Sequence, residues 1–294
     1  MTRTPGSERW LVTGAAGMLG TEVVEALSGS AAGPRTTALT RAQLDITDGA
    51  AVKEAVAGFD VVVNAAAWID VDGAQAQEEA AAAVNGGGVL NLAEACAAAG
   101  ARLLQVSTDY VFPGDATEPI PEDAPTEPLN AYGRGKLIGE QAVTRLLPET
   151  GYVVRTAWLY GAHGGNFVRT ILNAAEKREH LDVVDDQRGQ PTWARALAGQ
   201  LVALGGAALA GAAPAGFYHG TCAGETTWFG LARAAFELTG LDPDRIRPTT
   251  SAAFPRPAPR PAYSVLGHGR WAQAGLPALP QWRACLAEFL AAQS

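Results

Sequence analysis

The sequence is poor in the residues that staple small domains or hold metals. It has three cysteines in 294 residues, Cys96, Cys222 and Cys285, an odd number, far apart and without a CxxC pair. That excludes a disulfide framework and a zinc ribbon. The four histidines, His163, His180, His219 and His268, are equally scattered, so no metal site is expected. Positive charge is short as well: 22 Lys+Arg against 30 Asp+Glu leave a net charge of −8. No basic stripe is there to neutralise phosphates in series, so nucleic acid is not an expected partner, whereas one anionic ligand in a local pocket is compatible. Long apolar runs are missing too. The longest uncharged stretch, 196–224, is mostly Ala and Gly, contains Pro214 and ends in Phe217-Tyr218-His219. It reads as helix, loop and strand, and no membrane span is expected. Residues 1–10 are polar and hold Arg3, Glu8 and Arg9, so no secretory leader is expected and the cytoplasm is the expected place.

What is present favours a large core. Hydrophobic residues make up 48% and charged residues 18%, a composition that excludes global disorder. The length suits one large α/β domain or two lobes sharing a core. Short β-rich runs at 10–12, 36–39, 61–63, 103–106 and 152–154 alternate with helical runs at 19–27, 50–57, 78–99 and 131–147. Asp48 stands where it can cap the second helix. The third helical run is expected to break near Gly86-Gly87-Gly88. Continuous apolar strands separated by helices imply a parallel sheet covered on both faces, hence a doubly wound Rossmann fold. The second half is less regular. Helices are expected over 166–177, 193–209, 227–239 and 281–292, a strand over 181–184, and an extended loop over the proline-rich 254–261. The expected division is a dinucleotide-binding domain, 1–157, and a smaller α/β lobe, 158–294, which sends segments back to the first.

Thr13-Gly14-Ala15-Ala16-Gly17-Met18-Leu19-Gly20 lies where the first strand becomes the first helix. Glycines there allow a tight turn, close approach of a pyrophosphate and close helix–strand packing, and the helix start offers free N–H groups to the phosphates. The acid usual at the end of the second strand is replaced by Leu39-Thr40-Arg41. An arginine pairs with a 2′-phosphate and favours NADPH over NADH, unless Arg41 is merely a solvated surface residue. Asp45, in Leu44-Asp45-Ile46-Thr47, stands either near an adenine or in a capping turn.

Ser107-Thr108-Asp109-Tyr110 follows a buried strand, at the carboxyl end that faces the ligand crevice of an open parallel sheet. Tyr132 and Lys136, in Tyr132-Gly133-Arg134-Gly135-Lys136, are one helical turn apart on one face. A phenol titrates near pH 10, and a neighbouring cation lowers that value toward the range of acid–base work. Thr108, Tyr132 and Lys136 are therefore the candidate catalytic residues.

Thr-Gly-x-x-Gly-x-x-Gly with Tyr-x-x-x-Lys resembles the extended short-chain dehydrogenase/reductases. A closer likeness runs through Asn64-Ala65-Ala66-Ala67, Ser107 to Gly114, Pro128 to Gly133, Arg155-Thr156-Ala157-Trp158, Asn166-Phe167, Asp186 to Thr192 and Arg260-Pro261. In that order, across almost the whole chain, these segments resemble the dTDP-4-dehydrorhamnose reductase family. The resemblance implies NAD(P)H-dependent reduction of the C4 ketone of a dTDP-4-keto-6-deoxyhexose. NADPH is the expected cofactor, with NADH as a possible substitute, and a monomer or homodimer is expected. It implies that Tyr132 protonates the alkoxide, that Lys136 tunes Tyr132 and holds the nicotinamide ribose, and that Thr108 binds the ketone oxygen. Further cofactor contacts are implied for Gly14, Ala16, Gly17, Met18, Leu19, Arg41, Asp45 and Ile46, and for Asn64, Ala65, Ala66 and Ala67. Substrate contacts are implied for Trp68, Val71, Asp72, Asp109, Tyr110 and Trp158, and for Asn166, Gln190 and Arg260. Trp158 also reads as core, and Arg260 as a surface ion pair.

The chain departs from the family pattern at three places. Trp68 stands where Tyr or His is common, Gly73-Ala74-Gln75 where Lys-Ala-Glu is frequent, and Gly135 where a serine precedes the lysine. A wider Trp68 would narrow the sugar pocket. The Ala/Gly-rich bias suggests a high-GC genome, where such reductases also serve natural-product glycosylation. Two rival readings remain. A sugar-nucleotide dehydratase or epimerase is disfavoured because dehydratases carry Asp-Glu where this chain has Asp109-Tyr110. A non-catalytic subunit resembling the regulatory β-subunit of methionine adenosyltransferase is disfavoured because the Thr108, Tyr132, Lys136 set is intact.

Overall fold

A computed structural model describes residues 8–29 and 33–293. Most of the polar N-terminal stretch read above as lacking a leader, 1–7, lies outside the described residues. Six strands form the main sheet: β1 (Arg9–Thr13), β2 (Arg35–Leu39), β3 (Val61–Asn64), β4 (Arg102–Thr108), β5 (Gly151–Thr156) and β6 (Gly216–His219). Their order is β6-β5-β4-β3-β1-β2, and every pairing is parallel. The order reverses at β1, which opens a crevice at the carboxyl ends of β1 and β3.

Side-chain alternation explains the unbroken apolar strands. Trp10, Val12, Val61, Val63 and Leu104 point to one face, where Leu19, Val23 and Leu27 of helix Met18–Ser28 meet Leu197, Leu201 and Leu204 of helix Ala194–Leu209. Leu11, Val62, Leu103 and Val153 point to the other, against helices Gly49–Val56, Val89–Ala99 and Ala131–Leu146. The inner strands β3 and β5 are buried at every position, whereas the edge strand β2 keeps Arg35 and Thr37 exposed.

Several helix starts follow the sequence. Asp48 accepts from the Ala50 and Ala51 amides at 3.0 Å each, and Asn130 accepts from Gly133 N at 2.9 Å. Thr227 accepts from Gly230 N at 3.0 Å. The expected break at the triple glycine does not occur. Helix Glu78–Ala82 widens instead into a π-turn, Ala83–Gly88, and continues as Val89–Ala99. The glycines act by letting neighbours in: a Cβ on Gly86 would lie 2.7 Å from Ile138 Cγ2, and one on Gly88 2.6 Å from Ile46 Cγ1.

The second half contributes β6 to the main sheet and builds a smaller apolar cluster of its own. There Leu181–Val184 pairs in parallel with Ile246–Thr249, and Leu181, Val183 and Ile246 pack with Ile171, Ala232 and Phe236. The strand at 246–249 was not foreseen, because Pro248 interrupts its pattern. Segment 254–261 is the expected extended loop. Among the described residues no helix is long and apolar enough to cross a membrane.

Candidate active site

A cavity of about 540 Å³ runs along the carboxyl ends of the strands. One end is the glycine turn. Gly14 adopts φ +69°, and a Cβ there would sit 2.5 Å from Ala66 N, so only glycine fits. Helix Met18–Ser28 begins with no side-chain cap, which leaves its start for an anionic group. Gly14, Ala16, Gly17, Met18 and Leu19 line this end, together with Arg41, Asp45, Ile46, Ala65, Ala66 and Ala67. Arg41 is exposed. Asp45 Oδ1 accepts from Thr47 N at 3.0 Å and from its hydroxyl at 2.8 Å, which holds the carboxyl below its usual range. Asp45 thus makes the turn and borders the cavity at once.

At the other end β4 delivers Thr108. Its hydroxyl donates to Asp109 Oδ1 at 3.0 Å, accepts from Tyr110 N at 3.2 Å and lies within hydrogen-bonding reach of the Tyr132 phenol. Helix Ala131–Leu146 can approach this closely because position 133 is glycine: a Cβ there would clash with the Tyr110 carbonyl. Tyr110 and Tyr132 meet edge to face, 6.0 Å between centroids. Lys136 is buried and donates from Nζ to the Val106 carbonyl at 2.7 Å.

Burial pushes Lys136 down to about 8, against the opposing pull of Glu140. Burial, aided by the Asp109 charge, pushes Tyr132 up to about 12. Burial also pushes Asp109 up to about 6. Lys136 is not among the groups that shift the phenol: its Nζ donates to the Val106 carbonyl, and burial together with the Asp109 charge sets the direction. Two buried hydroxyls on the cavity wall, Ser107 Oγ and Thr156 Oγ1, have no hydrogen-bond partner among the described residues. Orphaned hydroxyls on a cavity that also holds a glycine turn fit a ligand rich in hydroxyls and phosphates, as a dinucleotide is.

The structure brings Thr108, Asp109, Tyr110, Tyr132, Lys136, Trp68, Val71 and Trp158 to the cavity wall. It does not bring Asn64, Asn166 or Gln190 there. Asn64 is buried under the glycine turn, taking the Thr13 hydroxyl at 2.6 Å and donating to Gln105 at 2.7 Å. Asn166 caps helix Phe167–Ala175 and donates to Gly161 O at 3.0 Å. Gln190 is consumed by Leu266 and Thr221. Asp72 and Arg260 stand just outside the wall, paired to each other at 3.1 Å, with Arg260 6.0 Å above the Tyr110 ring. Asp72 also receives Ala258 N at 3.2 Å, so it ties the proline-rich segment to the helix Val71–Ala76.

Ser107 and Thr156 went unread as site residues, and so did two further contributors. Asn85, inside the π-turn, accepts from Trp68 N at 2.9 Å and donates to Trp68 O at 3.0 Å, and so fixes the loop that carries Trp68. Trp228 lines the cavity beside Trp158. The π-turn has no simple sequence signal, and Trp228 follows a helix cap where any core aromatic could stand.

The model of the RmlD substrate binding domain matches residues 8–294. A dTDP-4-dehydrorhamnose reductase of Streptomyces griseus is 57% identical over 95% of this chain and 92% of its own length. The chain belongs to the dTDP-4-dehydrorhamnose reductase family. A dTDP-4-keto-6-deoxy-D-glucose reductase of Streptomyces niveus is 49% identical over 96% of both chains. Among solved structures, the Bacillus anthracis dTDP-4-dehydrorhamnose reductase in complex with NADP superposes with a TM-score of 0.90 at 32% identity, over 97% of this chain and 99% of that one.

Proposed function

We propose that this reductase uses NADPH to reduce the C4 ketone of a dTDP-4-keto-6-deoxyhexose. The observation that carries the reading is one cavity with a phosphate-ready glycine turn at one end and Thr108, Tyr132 and Lys136 gathered at the other. The reduced nicotinamide, when bound, supplies the hydride. Gly14, Ala16, Gly17, Met18 and Leu19 hold the pyrophosphate, Arg41 meets the 2′-phosphate, and Ser107 and Thr156 offer hydroxyls to the ligands. Residues 1–157 form the dinucleotide-binding part and 158–294 mainly the sugar-nucleotide part.

The chain's own chemistry is proton delivery. Tyr132, held at about 12, is fully protonated at neutral pH, so it enters the reaction loaded as an acid. An alkoxide is a far stronger base than a phenolate, so the transfer runs downhill without a lowered phenol. Thr108 turns its one hydroxyl proton from Asp109 Oδ1 to the ketone oxygen and so guides that oxygen to the phenol. Lys136 holds ribose hydroxyls and, as ammonium, steadies the phenolate left behind. Trp68, Tyr110 and Trp158 shape the sugar pocket, and Arg260, held by Asp72 at the pocket's edge, meets the diphosphate. The Streptomyces relatives and the Trp68 departure support a deoxysugar of natural-product glycosylation as readily as rhamnose.

The test is stoichiometric NADPH oxidation with dTDP-4-dehydro-L-rhamnose and a panel of its deoxygenated analogues. Consumption of one NADPH per sugar with at least one member is expected. No consumption with any of them, or water loss with the cofactor recycled in place, would overturn the reading.

A further inference from the structure

Trp158 is the one non-glycine residue with positive φ among the described residues, at +47°. A bulky side chain is strained there and stays only where its surroundings over-determine it. Three features do so. Its indole lies flat on that of Trp228, with ring centroids 3.7 Å apart and planes 11° from parallel. It also lies over Gly189, where a Cβ would stand 2.7 Å from Cε2 and 2.8 Å from Cζ2. Its carbonyl accepts from Thr192 N at 3.2 Å.

Trp228 is itself fixed. Its Nε1 donates to Gln187 Oε1 at 3.1 Å, and Phe167 packs on it at 4.7 Å. The residues just before it, Thr226 and Thr227, pair antiparallel with Gly189 and Arg188. Thr227 donates its hydroxyl to Asp185 at 2.6 Å. Gly189 and Trp228 therefore belong to one small scaffold built wholly from the second half. Trp158 enters it from the end of β5, and both indoles border the cavity.

We infer that Trp228 is a positioning residue for the sugar nucleotide: it holds Trp158 in its left-handed conformation, and Gly189 supplies the space the indole needs. The inference rests on the reading of the cavity as a sugar-nucleotide site. None of the hydrogen bonds and ring contacts that build the scaffold goes to Thr108, Tyr132, Lys136 or the glycine turn. Losing it should weaken sugar binding while sparing chemistry and cofactor.

The variants are Trp228→Leu, which removes the stack, Trp228→Phe, which keeps an aromatic face, and Gly189→Ala, which pushes on the indole from a second position. Steady-state kinetics are measured with the keto sugar that wild type reduces. NADPH affinity is measured by fluorescence titration, dTDP affinity by calorimetry, and the indole stack by the exciton couplet in circular dichroism. Trp228→Leu should lose the couplet and raise the sugar KM about tenfold or more, with kcat and NADPH affinity within about twofold of wild type. Trp228→Phe should recover most of the sugar KM, and Gly189→Ala should raise it too. Should Trp228→Leu fail to fold, Gly189→Ala and Trp228→Phe still decide the matter. An unchanged sugar KM in variants that have lost the couplet would overturn the inference. A parallel fall in kcat and NADPH affinity would overturn it as well, because it would show a general structural role. If wild type reduces no dTDP-4-keto sugar, the functional reading fails instead, and that outcome is separate because it needs no variant.

Discussion

Arg155 and Glu140 form an ion pair that water does not reach. Arg155 Nε and Nη2 hold the two Glu140 oxygens at 3.0 and 2.8 Å, and the side chains are 2% and 1% exposed. Arg155 also donates to Glu122 O at 3.1 Å and lies over the rings of Phe112 and Phe217, at 4.8 and 4.2 Å. Arg155→Met keeps much of the stem packing and strands a carboxylate in an apolar pocket. Removing one partner of such a pair costs about 3–5 kcal/mol, whereas replacing both by apolar groups is often neutral or stabilising. For a chain of this size that loss lowers Tm by roughly 10 °C. Arg155→Met should therefore melt far below wild type, and the double variant Arg155→Met with Glu140→Leu should regain most of the loss. The double variant has a second effect. Glu140 is the charge that opposes the burial-driven fall of Lys136, so without it the alkaline limb of activity should move to lower pH while the fold persists. Calorimetry and a pH–rate profile on the three proteins provide the assay. A single variant within about 1 kcal/mol of wild type, or a double variant no better than the single, would refute the account.

Tyr132→Phe should fold and bind NADPH normally while kcat falls about 10²–10⁴-fold, the usual size of a general-acid contribution; near wild-type hydride transfer in a single turnover would exclude Tyr132 as the donor. Arg41→Ala should weaken NADPH about tenfold or more and NADH little, since a charge-assisted contact is worth roughly 1.5–3 kcal/mol; equal losses in fluorescence titrations would show that Arg41 does not read the phosphate. Lys136, at about 8, should give a rate that is full below that pH and falls as pH rises through it, so a flat profile from neutral to strongly alkaline pH would remove the ammonium from the mechanism. Stability should run the opposite way: the unfolded lysine titrates near 10.4, so the unfolded chain binds more protons between about 8 and 10.4, and this residue's contribution rises with pH across that window in denaturant titrations.

The sheet was legible because both of its faces are covered, which turns strands such as Val61–Asn64 into unbroken apolar runs. The start of the second helix was legible because its cap, Asp48, acts locally, whereas the caps Asn130 and Thr227 came to light only in the structure. The glycine turn and the Tyr132–Lys136 spacing carry their geometry in a few neighbouring residues, and the cavity contains both. What escaped depends on distant partners. Gln190 faces Leu266 and Thr221, and Asn64 faces Gln105, pairings that no local pattern announces. The short helix Val71–Ala76 is capped by Asp70 but has too few turns for a periodicity to show. The phenol's upward shift comes from enclosure by the whole site, which the i, i+4 lysine alone does not reveal.

Asn85 grips Trp68 through its main-chain amide and carbonyl, while the indole donates to Asp70 O within the same loop. The anchor thus takes no notice of which side chain occupies position 68. A Tyr or His there would sit on the same backbone, held by the same asparagine, and would change only how far the wall reaches into the cavity. Asn85 keeps the frame constant while the residue in the frame is exchanged. The reach of the cavity wall at position 68 can therefore change by single substitutions while the Asn85 anchor stays in place.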